Sequence, residues 1–237
     1  MKHHDDINLL FEDVRINIER LDGAYEAARI NDEIEEVLKP VIKSSLEQLR
    51  SILEYSAQDI WSSYTKKKNS PYFPYGRDEA EFTKSAAKNL PGLQLQRPNV
   101  YALIESIQPH ICGDKWLPEL CSVTNFNKHR GLSKQVRANS KSSDVVVGGG
   151  AIVMRNAGSN SFSGFINGVP IGNGGLVTIS NAMTAKQLRQ QLGQVPFVKE
   201  FEWVEFVFDG SAKDARKLIA SSMEMIERYI NELRKNI

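Results

Sequence analysis

The chain has 237 residues, 41% of them hydrophobic and 25% charged, with a formal net charge of +1. That length and composition bury a core without disulfide or metal staples, and the charge balance excludes a molecule drawn as a whole to nucleic acid or an acidic membrane. No apolar run approaches the roughly 20 residues that cross a bilayer, the start Met1-Lys2-His3-His4-Asp5-Asp6 is charged, and the two cysteines, Cys112 and Cys121, are expected as reduced thiols in a cytoplasm.

Over residues 7–30, Leu10, Val14, Ile18, Leu21, Tyr25 and Ala28 recur at helical spacing. Asn31-Asp32-Glu33 predicts the start of a second helix reaching about Tyr64, with acids at the positive end of its dipole and a kink or break at Pro40. Residues 65–76, rich in Lys, Pro and Tyr, read as a loop. Further helices are predicted over 78–90, closed by Pro91-Gly92, over about 98–108 with Pro98 in the first turn, and from Lys115 through Asn125 as far as Leu132.

After Lys141 the pattern turns to strands, over 145–147, 151–154, 162–171, 176–180 and 201–208, separated by glycine and asparagine turns. In the last of these, Val204, Phe206 and Phe208 share one face, and Trp203 and Val207 share the other. Asp209-Gly210-Ser211 predicts the start of a final helix, whose apolar stripe includes Leu218, Ile219, Met225, Ile226, Tyr229, Ile230 and Leu233. The expected fold is α+β. A helical bundle over residues 1–140 precedes antiparallel strands and a C-terminal helix over 141–237, the last helix covering the sheet.

Polar residues on packing faces mark a candidate site. On the second helix Leu46, Leu49, Leu53, Ala57, Ile60, Trp61 and Tyr64 define an apolar face, yet Arg50 falls inside it and Glu54 lies one turn on. A guanidinium in that position must be paired or must face a cleft, because burying it alone is very costly. On the helix from Lys115, Trp116, Leu120 and Val123 share a face with Asn127 and Arg130, while Lys128 and His129 point elsewhere and Asn125 neighbours His129. These groups form either a structural network that specifies helix register or a cleft that holds an anion such as phosphate.

Other constellations are less specific. His110, Cys112, Cys121 and His129 are zinc-ligand types, but their spacing matches no common finger or ribbon. Gly148-Gly149-Gly150 and Gly172-Asn173-Gly174-Gly175 open no helix and lack the Lys and Ser/Thr of a phosphate-binding loop, so hairpin turns or a mobile flap explain them. Lys66-Lys67-Lys68 beside Tyr64, Tyr72 and Tyr75 reads as a solvated loop, although single-strand binders mix charge and rings in this way. Neither a G-x-S-x-G elbow nor an H-E-x-x-H helix is present.

The segments Leu49-Arg50-Ser51-Ile52-Leu53-Glu54-Tyr55, Tyr72-Phe73-Pro74-Tyr75, Ile104-Glu105-Ser106-Ile107-Gln108-Pro109-His110 and Asn125-Phe126-Asn127-Lys128-His129-Arg130 occur in this order. Together with the ending Val204-Glu205-Phe206-Val207-Phe208-Asp209, they resemble a family of uncharacterised bacterial proteins carrying an LRSALDHLA-like helix, an FPI-like loop, an LQPY-like helix end and an N-x-D-K-H-R segment. More remotely, the helical part resembles the HEPN superfamily of nucleotide-binding helical bundles, many of which are toxins or defence proteins that cut RNA without a metal. That resemblance implies His129 as acid/base and Arg130 or Arg50 as the phosphate stabiliser, with Asn127, Glu54, Asn125 and Lys128 around them. It also implies RNA as substrate, an antitoxin-like protein partner and a homodimer, with no cofactor and no metal. The chain departs from the HEPN pattern in having no Arg four to six residues before His129, and from the nearer family in carrying Asn127 for Asp and Tyr55 for His. The expected function is a metal-independent endoribonuclease of toxin or phage-defence type, in which a 2′-hydroxyl attacks the adjacent phosphate. The alternative is a non-catalytic scaffold that binds a ligand or partner through the same helices.

Overall fold

Acids in the first turn (Asp5, Asp6) and Arg29 in the last complement the dipole of α1 (His4–Ile30). The chain then leaves the helix over residues 31–38, and α2 (Lys39–Tyr64) starts with Pro40 in its first turn. This corrects the expected start at Asn31. Proline lacks an N–H and its ring clashes with the carbonyl four residues back, so a helix begins at it more readily than it runs through it. Leu38, just before α2, takes the left-handed conformation at φ 34°, ψ 44°. The computed structural model describes residues 1–68, 70–156, 158–209 and 213–237, with the side chains of His129 and Arg130 outside that description.

The Asp78 side chain accepts from the Glu81 N–H and opens α3 (Glu79–Asn89). Then come α4 (Leu93–Gln96), α5 (Pro98–Ser106), α6 (Pro109–Cys112) and α7 (Trp116–Arg130). α5 stops before Gln108 because Pro109 disfavours helical geometry in the residue before it, and Gln108 is extended at φ −83°, ψ 151°.

The strands are β1 (Gln135–Asn139), β2 (Ser143–Val147), β3 (Ile152–Arg155), β4 (Ser159–Phe162), β5 (Phe165–Ile166), β6 (Val169–Pro170) and β7 (Val177–Ser180). After α8 (Ala185–Leu192) follow β8 (Phe197–Phe201), β9 (Val204–Phe208) and α9 (Ala215–Arg234). Among the described residues every ladder is antiparallel: β1 with β9, β2 between β3 and β8, β4 with β7, and β5 with β6. The expected strand over 201–208 is β9, beginning at Val204 after a bend at Glu202, and β8 before it has no counterpart in the sequence expectation. Asn167 and Gly168, at φ 51° and 79°, close the β5–β6 hairpin with the left-handed pair that tight hairpins require. α8 has no counterpart in the sequence expectation, although Thr184 and Gln187 form a capping box at its start. α9 is capped by Asp214. Gly210 and Ser211, from the expected helix start, lie outside the described residues.

The fold is α+β, and the chain divides into two compact units. The helical unit is Met1–Leu21, Leu38–Lys134 and Lys213–Ile237, and the strand unit is Asp22–Val37 and Gln135–Ala212. Neither is one continuous stretch, so the division does not follow the expected boundary at residue 140. α9 joins the helices of the first unit. Its buried stripe (Leu218, Ile219, Met223, Ile226, Tyr229, Ile230, Leu233) packs with α2, α5 and α7, and Tyr229 meets Phe73 edge-on at 5.6 Å. The strand unit has its own core of Val145, Val147, Met154, Ile171, Ile179, Leu188, Leu192 and Val195. Among the described residues no helix is long and apolar enough to cross a membrane.

Candidate functional site

The site lies within the helical unit and starts from α2. Leu46, Leu49, Leu53, Ala57 and Ile60 are all fully buried, and the helical repeat carries Arg50 and Glu54 along the edge of that face. The two side chains pair at 2.7 Å, each one-fifth exposed. The guanidinium also donates to the Cys121 sulfur, and its carbon stands 4.9 Å from the centre of the Tyr75 ring. Burial works against its charge, but Cys121, Glu54 and Tyr75 together outweigh burial and raise the Arg50 pKa. Burial also pushes the Cys121 thiol up to about 12. The sulfur is therefore a protonated thiol at neutral pH, and Glu54 is the anion that Arg50 meets.

The Tyr72–Tyr75 loop is pinned from three sides. Glu54 accepts the Phe73 N–H at 2.6 Å with the oxygen that Arg50 leaves free, and Phe73 itself is buried. The fully buried Gln108 donates to the Pro74 carbonyl at 3.3 Å and accepts the Gly76 N–H at 3.2 Å. Gly76 has no room for a side chain, since a Cβ there would stand 2.2 Å from the Phe82 nitrogen. So fixed, the loop sets the Tyr75 ring beside Arg50 and leaves Tyr72 70% exposed. Burial is the main reason the Tyr75 pKa is raised, against the pull of Arg50 and a hydrogen bond with Asn125.

Between α2 and α7 runs a cleft of about 490 Å³, walled by Glu47, Arg50, Ser51 and Glu54 on one side and Thr124, Asn125 and Lys128 on the other, with Tyr72 from the loop. The Ser51 and Thr124 hydroxyls are spent on carbonyls of their own helices. Glu47 pairs with Lys43 at 3.6 Å. The carboxylates of the cleft thus have cationic partners, while Lys128 is exposed and has no partner among the described residues.

Of the residues expected from the sequence, Arg50, Glu54, Asn125 and Lys128 meet at this cleft. Asn127 does not line it. It is 5% exposed, and its side-chain oxygen accepts from the Ser133 N–H at 2.8 Å and the Ser133 hydroxyl at 2.7 Å, fastening the chain that follows α7. His129 and Arg130 close α7 in the backbone, but their side chains lie outside the described residues. Cys121, Tyr72, Tyr75 and Glu47 belong to the site and were not marked as such by the sequence. Tyr72 and Tyr75 carried a signal as part of the Tyr72-Phe73-Pro74-Tyr75 segment, and Cys121 carried one on the inner arc of α7 with the buried Leu117 and Leu120. Of the zinc-type set, His110 faces Glu105 at 3.6 Å, Cys112 donates to the Asp114 carbonyl at 3.4 Å and Cys121 faces Arg50, while the His129 side chain lies outside the described residues. Among the described residues no group of His, Cys, Asp or Glu is gathered to hold a metal ion. Comparison of the chain with protein families, curated proteins and solved structures finds no match.

Proposed function

We propose that the helical unit is a binding module whose α2–α7 cleft takes a small anionic ligand. The observation that carries this reading is the charge pairing in the cleft. Arg50 is committed to Glu54, Cys121 and Tyr75, Glu47 is paired with Lys43, and Lys128 remains the cleft's unmatched cation among the described residues. In this reading Lys128 meets the anion, the Asn125 amide and exposed Tyr72 ring flank it, and the Arg50–Glu54 pair is a fixed wall. Titration calorimetry with inorganic phosphate and with ribonucleoside monophosphates tests it. Saturable binding is expected, weakened roughly tenfold or more by Lys128→Gln, the loss of one charge-assisted contact. No binding of any of these anions, or equal binding by the variant, refutes it.

A second reading, a metal-independent endoribonuclease of toxin or phage-defence type, has one observation in its favour: Lys128, immediately before His129-Arg130, lines the cleft. RNA would then be the substrate, with His129 as acid/base and Arg130 or Arg50 at the phosphate. An antitoxin-like partner and a homodimer belong with this reading. It predicts RNA cleavage leaving a cyclic phosphate end, abolished in His129→Ala with thermal stability unchanged. Intact RNA after incubation with the wild-type chain rules it out and leaves the binding module.

A further inference from the structure

A lysine on the inward face of a strand is out of place. β8 alternates, with Val198 and Glu200 exposed, Phe197 partly buried and Phe201 buried, and Lys199 stands between the two rings at only 7% exposure. Its ammonium nitrogen donates to the Met183 carbonyl at 2.6 Å and lies 4.7 Å from the centre of the Phe201 ring. The side chain lines a cavity of about 200 Å³ whose other walls are Ile30, Asp32, Ala185, Phe197 and Val198. Apart from Lys199, Asp32 is the one charged group on these walls, and its carboxylate accepts the Ala185 N–H at 2.9 Å, at the start of α8. All of these residues belong to the strand unit, so the observation is independent of the cleft.

We propose that Lys199 is a nucleophilic amine that captures a small, uncharged aldehyde in this cavity. The chemistry follows from the surroundings. Burial draws the Lys199 pKa down, with Asp32 opposing, which increases the share of neutral amine. One N–H of that amine is held by the Met183 carbonyl, which restricts the lone pair to the directions left over. Ile30, Phe197, Val198 and Ala185 offer an apolar wall to an alkyl or aryl group, and Asp32 repels a carboxylated one. The amine nitrogen attacks the carbonyl carbon, giving a carbinolamine once the nitrogen's surplus proton has moved to the oxygen. Loss of that hydroxyl with a second proton from nitrogen releases one water and leaves the C=N bond of an imine. In this proposal Asp32, which lines the same cavity, relays these protons.

Reductive trapping tests the proposal. The full chain is incubated near neutral pH with propanal or benzaldehyde and cyanoborohydride at limiting aldehyde, and the modified lysines are mapped by peptide mass spectrometry over time. Lys199 is expected to be labelled ahead of every exposed lysine, and Val198→Trp, which narrows the cavity from an exposed strand position, is expected to suppress that labelling alone. Labelling of Lys199 no faster than that of Lys66, Lys67 or Lys68, or a Lys199 rate unchanged by Val198→Trp, overturns it. The wild-type time course decides the first point whether or not any variant folds.

Discussion

At Arg50 the decisive comparison is between a charge that is paired and one that is free. Glu54 holds two donors at once, the Arg50 guanidinium and the Phe73 N–H, so removing it takes the paired anion from one and the acceptor from the other. Glu54→Leu is expected to cost about 3 kcal/mol, the penalty of leaving a largely buried cation and a buried amide unmet. Arg50→Met leaves Glu54 still bonded to the loop and is expected to cost about 1–2 kcal/mol. Urea unfolding of the two variants checks the order, and a costlier Arg50→Met would mean that Glu54 is not the hub. Cys121 gives a second expectation. With its pKa at about 12, it stays unreactive toward a disulfide reagent at pH 8 until the chain unfolds, whereas the partly exposed Cys112 reacts first. The same shift sets a sign. Between the ordinary thiol value of 9.0 and about 12 the folded chain holds a proton that the unfolded chain has lost. This contribution to stability is therefore complete below pH 9 and declines as pH rises through that window. Denaturation midpoints measured from pH 7 to pH 11 should fall only in the upper part of the range.

Among the elements, α2 shows how a sequence pattern becomes a site. Periodicity made its apolar face and the intrusion of Arg50 legible, because side chains three and four apart on a helix share a face whatever the rest of the chain does. What Arg50 touches was not legible, since Cys121 is 71 residues away and nothing local announces that contact. Asn125 and Asn127 make the same point. Both were marked on α7, and only the structure separates the one facing the cleft from the one spent on Ser133. Four short segments singled out by resemblance do meet around one loop. Glu54 and Gln108 hold its backbone, Arg50 flanks Tyr75, and Asn125 bonds Tyr75. Lys199 carries a signal in the sequence too, because Phe197-Val198-Lys199-Glu200-Phe201 puts a lysine in register with two aromatic rings. Pro40 in the sequence predicts a kink or break within a helix, yet it marks the start of one, and that start has a cost. Leu38 holds a left-handed backbone that disfavours a branched side chain, so Leu38→Asn is expected to stabilise the chain by up to about 1 kcal/mol. A lower thermal midpoint for that variant would show that the Leu38 side chain supplies packing worth more than the strain.

The whole molecule interleaves its chain, and that has consequences for dissection. α9 lies at the far end of the sequence yet completes the helical unit, covering α2 with Leu218, Ile219, Ile226, Tyr229, Ile230 and Leu233. Each such side chain is worth roughly 1.5–3 kcal/mol on burial, so the stripe as a whole rivals the roughly 5–15 kcal/mol net stability of a typical domain. A fragment of residues 1–140 is accordingly expected to lack fixed tertiary structure, with weak near-ultraviolet circular dichroism. A sharply folded fragment would contradict the role given to α9. Because the helical unit carries the cleft and the strand unit the Lys199 cavity, the two proposals stand or fall separately. The central one, that the α2–α7 cleft receives an anion at Lys128, is tested most directly by following backbone amide resonances of the intact chain during titration with a ribonucleoside monophosphate. Saturable shifts concentrated at Arg50, Glu54, Tyr72, Asn125 and Lys128 are the result expected. Shifts that never saturate, or that cluster away from these residues, would contradict it.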